Sequence, residues 1–93
     1  MLRKFVRVTP VDYEAWRVEH GRQFHGIKAA GGIAETVFQD PAEPGAWTIE
    51  LEMDDTADVA RILSFFDGHE VPPPVGMSPL VPSALVQVES NTF

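Results

Sequence analysis

Cysteine is absent from this chain, so neither a disulfide framework nor a thiolate metal site can be built from it. Positive charge is scarce as well: seven Lys and Arg stand against fourteen Asp and Glu, a net charge of −7. Nucleic acid and anionic membrane both call for a basic footprint, which disfavours them as partners. Long apolar runs are missing, none approaching the roughly 20 residues of a membrane span. The charged start MLRKFVRV is not followed by the apolar core of about 7–15 residues that marks a secretory signal. A soluble, cytoplasmic protein is expected. Among the three histidines no HxxxH or HExxH spacing occurs. Nor is there a Ser-His-Asp arrangement, a phosphate-binding glycine loop or a dinucleotide fingerprint. No metal and no cofactor are expected.

What is present is a globular composition, 44% hydrophobic and 23% charged. Residues 1–93 make a single domain. So short a chain has a thin core, and a partner subunit would thicken it. Residues 3–9 alternate polar and apolar and predict a first strand. Pro10, Asp12 and Glu14 suit a helix start, and a helix is expected from about residue 11 to 29, stopped by Gly31-Gly32. A second strand at 33–39 meets a third at 47–53 through the turn-rich loop DPAEPGA, 40–46. In that third strand Trp47, Ile49, Leu51 and Met53 share one face. Thr48, Glu50 and Glu52 share the other.

Asp54-Asp55-Thr56 resembles an N-cap cluster. After it, Val59, Ile62, Leu63 and Phe66 fall on one face of a second helix that Gly68 ends. Residues 69–82 hold five prolines and are expected to be neither helix nor central strand. Their apolar Val71, Val75, Met77 and Leu80 suggest a lid that folds back over a cavity or a partner, burying at least Met77 or Leu80. A last strand is expected at about 83–89.

This order, β-α-β-β-α-β, predicts an α+β, ferredoxin-like fold: a four-stranded antiparallel sheet with two helices on one face. The other face would carry Arg3, Phe5, Arg7, Glu50 and Glu52, with arginines set to pair with glutamates across strands. It is either the wet face of a sheet or the surface on which two copies stack.

Four stretches decide for the stack. "VDYEAWRVEH", "AAGG", "VFQDPAEPGAWTIELEMDD" and "ADVARILSFF", spread over residues 4–66, resemble the dimeric α/β-barrel superfamily. Within it they are most similar to small bacterial cyclase-like proteins near the antibiotic-biosynthesis monooxygenases and polyketide cyclases. At its end the chain departs, with "GHEVPPPVGMSP" where many relatives continue the second helix into an Ala-Gly-Val turn. The resemblance implies a homodimer through the helix-free sheet face and a small-molecule cavity between helices and sheet.

His20 is the residue out of place. At about 100° per residue from Trp16, the residues Ile27, His20, Tyr13 and Phe24 fall within roughly 80° of one another, while His25 points about 180° away. An imidazole in the middle of that apolar stripe must be hydrogen-bonded in the core or open to a cavity. In the cavity that the resemblance implies, His20 is the candidate acid/base, since imidazole accepts and returns a proton near neutrality. Tyr13, Trp16, Phe24 and Trp47 would line an aromatic pocket, with Tyr13 donating to a substrate carbonyl or phenol and His69 near the mouth. Three readings follow. One is a cofactor-independent cyclase or isomerase acting on a flat aromatic or polyketide-like substrate, another a cofactor-independent monooxygenase, and the third a non-catalytic ligand-binding or stress-associated dimer.

Overall fold

A computed structural model describes residues 1–73 and 85–93. In chain order the elements are β1 (Leu2–Val8), α1 (Tyr13–Arg22), α2 (Phe24–Ala29), β2 (Gly32–Asp40), β3 (Glu43–Met53), α3 (Val59–Ser64), β4 (Gly68–Val71) and β5 (Val86–Thr92). The fold is α+β, as expected. The described residues carry three helices and five strands, where the sequence pattern predicted two and four.

The extra helix comes from a break in the first one. Asp12 caps α1 by accepting from the Ala15 amide at 3.2 Å. At Gln23 the ladder tightens, its amide bonding to the His20 carbonyl three residues back, and α2 begins afresh. Gly21 and Gly26 flank this break, and glycine is a poor helix former on both sides of it. α3 starts at Val59 under an Asp58 cap, which accepts from the Arg61 amide at 3.1 Å. Asp54, expected in that role, instead closes a turn onto Thr56.

The sheet runs β4-β1-β3-β2-β5, every pair antiparallel. In a four-stranded ferredoxin-like sheet the last strand lies beside the first; here that position is held by β4, and β5 lies on the far edge against β2. β4 joins Gly68 to the part of 69–82 that precedes Pro72, and its amides are therefore free to join the ladder. Gly68 permits the pairing, because a side chain there would run into the Arg7 backbone. Val75, Met77 and Leu80 lie outside the described residues, as does most of the proposed lid.

Register separates the two faces. Val6 pairs with Ile49 and Val8 with Trp47. Val37 pairs with Ile49, and Glu35 with Leu51. These residues share the helix side, where Ile27 from α2, Ile62 from α3 and Phe66 close the core. On the other face Arg3 pairs with Glu50 at 3.5 Å and Arg7 with Glu43. That face is less bare than expected: Phe5 and Thr48 are buried within the single chain. Pro72, Pro73 and Leu85, on either side of residues 74–84, line a cleft over it with Arg7, Asp40 and Thr48.

One corner holds helices and sheet in place. Gly31 has φ 107°, and a side chain there would sit 2.7 Å from Ala57. Its carbonyl accepts from Asp54 at 2.8 Å while that of Ala30 accepts from Asp58 at 2.9 Å. Gly31→Ala is expected to lower stability by about 1–3 kcal/mol, for the left-handed backbone and the crowding together. Gly45→Ala, with negative φ and open space around it, should leave it unchanged or slightly raised. Urea denaturation of the two variants checks the contrast.

Candidate functional site

α1 lays Tyr13, Trp16 and His20 along the sheet, and Phe24 follows at the start of α2. Successive spacings of three and four put all four on one side. The rings meet. Trp47 of β3 stacks on Tyr13 at 4.5 Å between centroids, Tyr13 on Trp16 at 5.7 Å, and Trp16 on His20 at 4.7 Å with 14° between planes. Phe24 meets His20 nearly at right angles at 5.1 Å, and Phe66 tilts against it at 4.8 Å. Phe93 extends the row beyond Phe24. Five of the six expected site residues thus form one aromatic wall.

Beside the wall runs a polar chain that the sequence pattern did not predict. His20 Nε2 lies 2.6 Å from Glu35 Oε1. Asn91 Nδ2 donates to Glu35 Oε2 at 3.0 Å and to Glu89 Oε2 at 2.9 Å. Tyr13 donates its hydroxyl to Glu89 Oε1 at 2.9 Å, and Arg17 Nε approaches the same oxygen at 3.0 Å. The wall and the polar chain therefore close into a ring, joined at Tyr13 and at His20. Glu35 is 1% exposed and His20 4%, so both polar groups are sealed in the core. The contact with Glu35 at Nε2 fixes the orientation of the ring. His20 Nδ1 has no hydrogen-bonding partner among the described residues.

Charge is managed at the outer end of this chain. Burial works to raise the Glu89 carboxyl, but the hydrogen bonds from Asn91 and Tyr13 and the Arg17 charge outweigh it and hold the group below the ordinary carboxylate range. Burial and the bond to Glu89 push the Tyr13 phenol above its ordinary value. Tyr13 therefore stays protonated and is already committed as a donor to Glu89, in place of the expected donation to a substrate.

Open volume lies on either side of Glu89. One cleft of about 420 Å³ is lined by Tyr13, Glu14, Arg17, Gln39, Trp47, Val88 and Glu89. The other, about 340 Å³, is lined by Arg17, Val18, Gly21, Phe24, Glu89 and Asn91. The cavity expected to be lined jointly by His20, Trp16 and Trp47 is not what these residues form. Their rings fill that space by stacking, and His20 lines neither cleft. His69 is a second correction. It stands exposed on β4 opposite Arg7, on the sheet face away from His20, so it does not guard the entrance to the wall. His25 is exposed, as the helical wheel predicted. Among the described residues no group of three or more His, Asp or Glu is placed to hold a metal ion, and no helix is long and apolar enough to cross a membrane.

Glu35, Glu89, Asn91, Phe66 and Phe93 were not anticipated. For Glu35 a signal existed: in IAETVFQ it shares a face with Val37, a carboxyl in a core register as out of place as His20. Glu89 and Asn91 could be placed only by knowing that the last strand pairs with β2.

In comparisons with known proteins, no family model matches this chain, and no curated protein or solved structure matches it.

The outer end of the network makes stability depend on pH. Unfolded, Glu89 takes up its proton around the ordinary value of 4.5; folded, it does so lower. Its contribution is therefore full above that value and is lost as pH falls through the folded pKa. Denaturant titrations from pH 6 downward should show the unmodified protein losing stability more steeply below about 4.5 than Glu89→Gln. Tyr13→Phe, which removes one donor, should lessen the same slope.

Proposed function

We propose that this chain is a small-molecule-binding protein of the dimeric α/β-barrel kind, and that it works as a cofactor-independent cyclase or isomerase. His20 would move a proton on a flat aromatic or polyketide-like molecule. One observation carries the reading: an imidazole buried among stacked rings, with Nε2 2.6 Å from a carboxyl that is itself buried. A histidine kept only for packing has no need of a buried carboxyl, and desolvating both groups is costly. A carboxylate at one ring nitrogen orients the imidazole and leaves the other for proton transfer, the logic shared by many acid/base sites. The sequence resemblance supports the same reading, as does the α+β sheet with its helices on one side. The helix-free face, with half-buried Thr36, Phe38, Glu50 and Glu52, would receive the second copy.

A ligand-binding dimer without turnover is the rival, favoured by the close packing of Trp16, Phe24 and Phe66 around His20. The separating experiment offers the protein planar phenols, hydroxyquinones and enolisable diketones. Binding is followed by quenching of Trp16 and Trp47, products by mass spectrometry, and oxygen with an electrode. Turnover without oxygen uptake is expected, and His20→Gln should reduce kcat by about 10²–10⁴-fold. Glu35→Gln should reduce it less. Oxygen uptake would move the protein to the monooxygenase class. Binding without products would make it the non-catalytic dimer, and no binding at all defeats the proposal. Light scattering should give a mass near twice 10.3 kDa; a monomer at every concentration removes the dimer.

A further inference from the structure

Only one nitrogen of His20 is engaged. Nε2 is bonded to Glu35, whose other oxygen accepts from Asn91. Nδ1 is unpartnered among the described residues in a side chain that is 3% exposed. In the tautomer that donates Nε2–H to Glu35, Nδ1 presents a lone pair that a donor would complete. Its surroundings restrict what could bring one. Trp16 lies flat against the imidazole, Phe24 stands on edge to it and Phe66 tilts over it. An ammonium or a heavily hydrated group would give up far more water against three rings than a neutral hydroxyl on a flat apolar frame.

The same rings define a way in. Phe24 touches His20 and also lines the 340 Å³ cleft with Arg17, Val18, Gly21 and Asn91. It is half-buried and begins α2 directly after the break at Gln23. A side-chain carbon built at Gly21 would meet nothing within 4 Å, so that wall of the cleft is open.

We propose that His20 Nδ1 is a recognition point for a neutral hydroxyl on a flat ring, a phenol or an enol, and that Phe24 is the side chain that admits it from the cleft between α1 and β5. This rests on the reading of His20 as the group that faces the ligand, though binding needs no turnover. A phenolic hydroxyl donating to Nδ1 would complete the imidazole's hydrogen bonding. The ring behind it would join the aromatic wall.

Phe24→Ala vacates a ring-sized space next to the imidazole, and phenol and benzene are probes of nearly the same size. Both are titrated into the variant by NMR, following the ¹⁵N resonances of the His20 ring. Phenol is expected to bind about five- to tenfold tighter than benzene, the worth of one hydrogen bond, and to move Nδ1 where benzene does not. Replacing His20 with Phe in the same background should abolish the preference. Equal affinity for the two probes, or an Nδ1 signal that phenol leaves in place, overturns the proposal. So does phenol binding with its preference intact after His20 is gone. Should the alanine variant not fold, Phe24→Leu and the unmodified protein are read by the same Nδ1 criterion, and no movement in any folded form is equally fatal. Phenol-selective binding without turnover would remove the proton-transfer reading and keep this one. Turnover with no phenol preference would do the reverse.

Discussion

Glu35 sits on the helix side of β2 with no side-chain surface left to water, between Val37 and the core residues of β3. A carboxyl survives there because its oxygens are engaged, one by His20 and the other by Asn91. Those two bonds reach in opposite directions along the chain, to α1 and to β5. Remove the carboxyl and the imidazole is left buried with neither nitrogen partnered, the arrangement that costs most in a core. The position of α1 on the sheet, the stacking of Trp16 on His20 and the docking of β5 all answer to this one residue.

The ring of contacts that begins at Glu35 also divides polar from apolar work. Trp47, Tyr13, Trp16 and His20 pass from one to the next by stacking, which supplies area and dispersion. Glu35, Asn91 and Glu89 run alongside by hydrogen bonds and keep every buried oxygen of the two carboxyls accounted for. Members of such a network hold one another in place, so His20 Nδ1, a buried atom with no partner among the described residues, stands out in it.

Periodicity made the early part of this arrangement legible. The alternation in 47–53 put Trp47, Ile49, Leu51 and Met53 on the core side, and the helical wheel put His20 among Tyr13, Trp16 and Phe24 while turning His25 outward. Both are local patterns, and local patterns survive folding. The break at Gln23 was not visible, because the apolar stripe continues across it from Trp16 to Ile27. The end of the chain was misjudged for a different reason. Five prolines hid the four residues before them that could still form a strand, and nothing in a strand's own sequence says which edge it will join. With the pairing of the last strand unread, Glu89 and Asn91 had no place beside His20, and the carboxyl partner in β2 went unnoticed.

The contacts of this ring differ greatly in how much chain they span. His20 and Glu35 are 15 residues apart, within a helix and the strand that follows it. Asn91 and Glu35 are separated by 56, and Tyr13 and Glu89 by 76. Closing the short loop costs little entropy, and closing the long ones costs more. By that measure the imidazole–carboxyl bond is the contact that closes at the least entropic cost, and those of the C-terminal strand cost the most. Without β5, Glu35 would keep one partner where the finished protein gives it two, so the closing strand completes the carboxyl at the centre of the molecule as well as the edge of the sheet.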